Sequence, residues 1–286
     1  MEGPADGYRI RTMTRAEVGL ALDWAAAEGW NPGLFDADCF HASDPGGFLL
    51  GELDGEPVAS ISVVRYGSDF AFLGLYIVRP AFRGRGYGWR LWQAGMALRE
   101  GRTVGLDGVV AQQANYRKSG FEFAWRNQRL AGVAAASGPP PPEVVALSGL
   151  PLSDLLTYDR SFFPAGRTDF LRCWIDQPDG AALGWRDAAG GLRGYGVLRR
   201  CRTGAKIGPL FADDEAIAEA LFTALCAQAP PGSAVFLDVP EPNPAALALG
   251  ARHGLSLVFE TARMYAGAAP ALPLARTWGI TTFELG

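Results

Sequence analysis

Residues 75–100 read LYIVRPAFRGRGYGWRLWQAGMALRE, and the order of residue types is that of a strand, a tight turn and a helix. The run Phe70 to Val78 is apolar and aromatic, as a strand buried on both faces requires, and Pro80 ends it by withholding a backbone donor. Gly84, Gly86 and Gly88 then follow Arg83 on alternate positions. Leu91, Trp92, Gly95, Met96 and Leu98 recur at helical spacing until Gly101, which predicts a helix of about four turns.

A helix start leaves N–H groups unpaired and carries partial positive charge, so residues 83–88 form a cradle for an anion such as a diphosphate. Arg83 and Arg85 add full charges. Two other phosphate motifs do not fit. A dinucleotide fingerprint needs glycine where Trp89 stands, and a P-loop needs Gly-Lys, whereas the lysines are Lys118 and Lys206 alone. Read without any relative in mind, the same turn is an ordinary glycine-rich connection between a strand and a helix.

The pattern Arg83-x-x-Gly86-x-Gly88 behind Val78-Arg79-Pro80 resembles the pyrophosphate signature of the GNAT superfamily of acyl-CoA N-acyltransferases. The resemblance implies an α/β fold with a mixed α+β sheet, and an acetyl-CoA or other acyl-CoA co-substrate. It assigns the cofactor to Arg83, Gly84, Arg85, Gly86, Tyr87 and Gly88 at the phosphates and to Tyr76, Ile77 and Val78 along the strand.

The flanking chain follows the same order of elements. Residues 8–13 alternate like a strand, and Thr14 with Glu17 forms a capping box ahead of a helix to about Glu28 carrying Val18, Leu20, Leu22, Trp24 and Ala25. A short helix over 34–41 follows. Phe48 to Leu53, the turn Asp54-Gly55 and Pro57 to Tyr66 read as two antiparallel strands; Val104 to Val110, Ala111 to Ser119 and Phe121 to Leu130 read as strand, helix and strand. The resemblance therefore spans about residues 8–131.

Residues 131–142 turn to alanine, glycine and four successive prolines, a semi-rigid spacer. We place an N-terminal GNAT domain at 1–132, a linker at 133–142 and a second domain at 143–286. The second half echoes the first. Ser153 stands as a helix cap, Ala181–Trp185 and Leu192–Arg200 flank Ala189-Gly190-Gly191, and Val235–Val239 echoes Val104–Gly108. Asn243, Ala246, Leu249 and Gly254 fall at the spacing of the family's late helix. Where a phosphate turn belongs, Lys206 to Asp214 has no alternating glycines and two carboxylates, so this looks like a degenerate GNAT copy. The two-part organisation resembles tandem bacterial GNAT proteins.

Of 286 residues, 49% are hydrophobic and 20% charged, a globular composition. The net charge of −4 and the 24 arginines among 26 basic residues give no basic field for nucleic acid. No apolar run is long enough for a membrane span and Met1-Glu2-Gly3-Pro4 does not open a signal peptide, so the expectation is a cytoplasmic protein without a membrane partner. Cys39, Cys173, Cys201 and Cys226, with only His41 and His253 available, form no zinc pattern and are expected as buried free thiols.

Acyl transfer to an amine needs a free nucleophile, stabilisation of the oxyanion and a proton for the leaving sulfur. Tyr116 to Phe121 matches the family's Tyr-x-x-x-Gly-Phe, which implies Tyr116 as general acid, with Asn115 beside it at the cofactor. Many relatives place a glutamate base where this chain has Gly74. Asp36, Asp107, Glu122 and His41 stay open as bases, each equally a cap or a structural group. Trp30, Phe35, Phe40, Tyr66, Phe70 and Phe72 are either core or the wall of a pocket for an apolar amine. The expected activity is N-acetylation of a primary amine, with a small-molecule acceptor, no metal and a homodimer as one option; a non-catalytic acyl-CoA-binding protein is the alternative.

Overall fold

The computed structural model describes residues 7–134 and 138–286. The opening residues 1–6 and the spacer's residues 135–137 lie outside the described residues. The first half runs β1 (Tyr8–Thr12), α1 (Arg15–Ala27), α2 (Asp36–Ser43), β2 (Phe48–Leu53), β3 (Glu56–Tyr66), β4 (Phe70–Val78), α3 (Tyr87–Ala97), β5 (Thr103–Val109), α4 (Gln113–Lys118) and β6 (Glu122–Val133). The second runs β7 (Val144–Ala146), α5 (Leu152–Asp159), α6 (Thr168–Trp174), β8 (Ala181–Arg186), β9 (Leu192–Arg200), β10 (Ala205–Ala212), α7 (Glu215–Cys226), β11 (Ala234–Pro240), α8 (Pro244–Arg252), β12 (Ser256–Ala266) and β13 (Thr277–Gly279).

Local chemistry explains the boundaries. Thr14 caps α1 through the reciprocal pair with Glu17, and Val18, Ala21, Leu22 and Ala25 form its buried stripe while Leu20 and Trp24 are only half-buried. The helix expected from Leu34 begins at Asp36, whose carboxylate accepts from Gly33 N–H at 2.8 Å. Ser153 lies inside the first turn of α5 behind Pro151, so it is not the cap.

The described strands form one sheet of 13, in the order β1-β2-β3-β4-β5-β12-β6-β11-β10-β9-β8-β7, with β13 added on β10. The last long strands of the halves are exchanged. β12 pairs antiparallel with β5, and β6 pairs antiparallel with β11 and β12. Each half thus completes its sheet with a strand of the other. One apolar core joins Phe40 of α2 to Phe170 and Trp174 of α6, and each of two smaller cores takes in the exchanged strand of the other half, through Ala262, Met264 and Ala266 of β12 in one and Leu130 of β6 in the other.

The same α2–α6 contact carries a disulfide between Cys39 and Cys173, with Cα atoms 5.2 Å apart, which corrects the expectation of four free thiols. Cys201 and Cys226 are free and buried. Among the described residues no helix is long and apolar enough to cross a membrane.

In both halves a parallel strand pair forks. β4 and β5 pair from Phe70↔Thr103 to Leu73↔Leu106, and β10 and β11 from Ala205↔Val235 to Ile207↔Leu237. Gly74 and Gly208 are the first residues past the forks. In the second half the chain's own tail fills the fork: β13 pairs with β10, and Ile280 N–H donates to Asp238 C=O on β11 at 2.8 Å. In the first half the fork stays open.

Candidate active site

The open fork is a cavity of about 730 Å³. Its walls come from β4, β5 and α4, closed below by Phe259 of β12 and by Phe283 and Glu284 of the tail. β4 reaches this shape through a bulge: Leu75 has φ +47°, its carbonyl accepts from Ser60 Oγ at 2.7 Å, and the β3–β4 register shifts there. Beyond Leu73 the β5-facing edge of β4 has no strand partner among the described residues, so backbone groups of Tyr76 and Val78 face the opening, whereas those of Ile77, expected at the cofactor as well, are turned to Ser60 of β3.

Arg83 and Trp89, on either side of the glycine turn, also line the cavity. Gly84 and Gly86 have φ +77° and +84°, backbone that side-chain-bearing residues rarely adopt. Gly88 is needed for a different reason. A Cβ there would lie 2.8 Å from Val78 Cγ2 and 2.9 Å from the Tyr76 hydroxyl, so its absence lets α3 press onto β4. The helical ladder opens with Arg90 N–H donating to Gly86 C=O at 3.1 Å, which leaves the N–H groups of Tyr87 and Gly88 ahead of it.

The two arginines of the turn behave differently. Arg83 donates to Val78 C=O at 2.8 Å and pairs with Glu28, so its charge is engaged across the cavity mouth. Arg85 is exposed and lies over the Phe82 ring.

Tyr116 packs its ring over Gly108, where a Cβ would meet Tyr116 Cε2 at 2.2 Å, and stacks on Trp92 at 5.7 Å between centroids. Burial, with Tyr76 nearby, pushes its phenol up to about 12, so it is protonated at neutral pH. Asn115 lines the cavity, but its amide is held within α4 by Gln112 at 2.8 Å and Lys118 at 3.1 Å.

The other expected groups disperse. Asp36 is buried against Arg199, Glu122 is exposed at the start of β6, and His41 lies in the last turn of α2 outside the cavity. Asp107 lines the cavity, yet Arg263 and Asn127 occupy its oxygens at 2.7–2.8 Å, so it is not an available base. Of the aromatic set only Trp30 reaches the wall. Phe40, Tyr66, Phe70 and Phe72 are core, and Phe35 is half-buried ahead of α2. Among the described residues no group of three His, Cys, Asp or Glu side chains could hold a metal ion.

The sequence reading missed Glu28, Trp89, Phe259, Phe283 and Glu284. Trp89 adjoins the glycine turn and was within reach of it. The tail residues carry no local signal, because only the exchanged topology brings them in.

The acetyltransferase (GNAT) family matches residues 17–121, and an acetyltransferase (GNAT) domain matches residues 155–277. A curated relative, holothin acyltransferase of Pseudoalteromonas sp. (strain SANK 73390), is 34% identical over 274 residues, covering 93% of this chain and 90% of that protein. The chain belongs to the GNAT family. It is a tandem GNAT acyltransferase, and its architecture recurs in solved structures. A crystal structure from Pyrococcus horikoshii superposes with TM-score 0.83 at 22% identity, covering 100% of this chain and 98% of that one. A tandem GNAT protein from the clavulanic acid biosynthesis pathway gives TM-score 0.62 at 16% identity, over 92% and 99%.

In this tandem GNAT protein the start of α7 is occupied by the chain's own carboxylates. Asp214 caps α7 by accepting from Ile217 N–H at 3.0 Å, and Asp213 is paired with Arg193 at 2.7 Å and with Arg276.

Proposed function

We propose that the chain transfers an acyl group, acetyl first, from acyl-CoA to the amine of a small molecule, within the cavity of the first half. The observation that carries this reading is the open fork of about 730 Å³ with the glycine turn at one end and Tyr116 in its wall. The residues fit the co-substrate on two structural grounds. The turn offers N–H groups with no side chain in the way, and the free β4 edge offers backbone groups to an extended amide-bearing arm.

Bound there, acyl-CoA would supply an activated carbonyl and a thiolate leaving group. Gly84 to Gly88 and Arg85 would hold the diphosphate. The N–H groups of Tyr76 and Val78 would orient the arm and the carbonyl oxygen. Tyr116, protonated at working pH, would give its proton to the departing sulfur. Trp30, Phe259 and Phe283 exclude water and favour an apolar or aromatic amine. The relative's name places its acyl transfer on holothin, which supports a defined acceptor here as well.

The test is thiol release from acetyl-CoA across a panel of small primary amines. Amine-dependent turnover is expected, reduced about a hundredfold or more in Tyr116→Phe while CoA still raises the melting temperature. Binding without turnover for any amine would replace this reading with that of an acyl-CoA-binding protein.

A further inference from the structure

Amine acylation leaves a second proton to place, the one on the attacking nitrogen, and Tyr116 accounts only for the sulfur. Three residues with carboxylate side chains line the cavity: Glu28, Asp107 and Glu284. Two are taken. Glu28 is paired with Arg83, and both oxygens of Asp107 are held by Arg263, one of them also by Asn127.

Glu284 differs. Its Oε2 accepts from Thr282 Oγ1, its own N–H donates back to that hydroxyl at 2.8 Å, and its Oε1 is buried without a hydrogen-bond partner among the described residues. An orphaned carboxylate oxygen is costly unless a ligand supplies the donor. The place is also prepared. A Cβ at position 74 would stand 2.2 Å from Glu284 O and 3.0 Å from its Cα, so the missing side chain of Gly74 is what admits the tail to the fork. Tyr66 Oη donates to Leu285 C=O at 3.2 Å and Arg167 to Gly286 C=O at 3.5 Å, which pins the tail just beyond Glu284. Arg129, Arg199 and Lys206, from β6, β9 and β10, act electrostatically on Glu284; Asp238 and Asp36 pair the two arginines.

We infer that Glu284 is the proton acceptor for the attacking amine, an inference that rests on the amine acylation proposed above. As the nitrogen bonds to the thioester carbon, its proton passes to Glu284. The C–S bond breaks and the sulfur takes the proton of Tyr116. Amide and free thiol leave, and solvent returns the proton from Glu284 to the Tyr116 phenolate.

The experiment compares the full chain with Glu284→Gln and Glu284→Asp, using acetyl-CoA and the best amine of the panel. Glu284→Gln, which can still accept from Thr282, should lose about a hundredfold or more in kcat. Its melting temperature and CoA-induced shift should stay at the parent's. Glu284→Asp, which keeps a carboxylate, should recover part of that rate. A rate for Glu284→Gln within about threefold of the parent, or loss of the CoA shift together with the rate, overturns the inference. If Glu284→Gln does not fold, Glu284→Asp decides: a rate equal to the parent's there also overturns it. A parent without turnover on any amine removes the proposed function itself, and this inference with it.

Discussion

Arg263, on the last long strand of the second half, closes on Asp107 of the first half through hydrogen bonds of 2.8 and 2.7 Å. The converse pair joins Arg129 of β6 to Asp238 of β11 at 2.7 and 2.8 Å. Asp107 and Asp238 hold equivalent places in the two halves, so each exchanged strand brings the arginine that answers the other half's buried carboxylate. These buried pairs tie each exchanged strand to the sheet it enters.

Removing one partner should therefore be costly. Asp238→Asn leaves Arg129 buried without its counter-charge and should destabilise the fold by about 3–5 kcal/mol, a melting-temperature fall of roughly 10 °C. Burial alone would raise the Asp238 carboxyl, but Arg129 outweighs it and holds it below the usual carboxylate range. A carboxyl depressed on folding stabilises above its unfolded value, near pH 3.9, and that contribution is lost as pH falls through the depressed folded value. The parent should thus lose stability on acidification below about pH 4 more steeply than Asp238→Asn. Parallel acid-melting curves for the two proteins would contradict the assignment.

Gly74→Ala should unseat the tail. The added Cβ meets backbone at 2.2 Å, which no side-chain rotation relieves, and overpacking of this kind costs about 1–3 kcal/mol. Gly208→Ala meets Thr281 O at 2.5 Å and should cost a similar amount. Only the first substitution lies in the open fork, so acyl transfer should fall in Gly74→Ala and persist in Gly208→Ala. Calorimetry with a thiol-release assay on both variants checks this.

Gly86→Glu should abolish CoA binding. Its φ of +84° strains any residue with a side chain, by about 1–2 kcal/mol, and the new carboxylate sits where a diphosphate would lie. A folded Gly86→Glu protein whose melting temperature still rises with CoA would remove the glycine turn from the site.

How much of this was legible depended on the range of the interactions. The capping box of Thr14 and Glu17, the glycine turn and the strands of the first half rest on neighbours within a few residues, and the sequence shows them. In the second half the sequence shows β8, β9 and β11, but 206–214, read in place of a phosphate turn, is largely the strand β10, and β12 is missed. Glu122–Val133 reads as a strand whether it pairs with β5 or with β11, so nothing local announces the exchange. Cys39 and Cys173 are 134 residues apart and meet only because α2 packs on α6. Gly74 was visible as a departure from the family's pattern, but its physical reason, the carbonyl of Glu284, is a contact across the whole chain.

Tyr116 should contribute no alkaline limb to the rate. With its phenol pushed up to about 12, it remains a proton donor through pH 10, and any fall-off assigned to it should begin only near pH 11. A pH–rate profile of the parent against Tyr116→Phe checks this: the ratio should stay flat between about pH 7 and 10. A ratio that collapses in that window would assign the proton to another group.

The last expectation concerns the proposed boundaries. A fragment of residues 1–132 contains every side chain expected to touch CoA, and the sequence alone would suggest that it folds by itself. In the sheet, however, β5 would lose β12, β6 would lose both β11 and β12, and the cavity would lose Phe259, Phe283 and Glu284. Three strand edges with unpaired backbone groups invite aggregation. The fragment made alone should be insoluble or melt without cooperativity. Co-expressed with residues 143–286 as a separate chain, it should co-purify and recover the CoA-induced shift, because the exchanged strands hold the halves together without the spacer. A monomeric 1–132 fragment with a cooperative melt and parent-like CoA binding would mean that the first half completes its own sheet, and that the exchange is dispensable for the site.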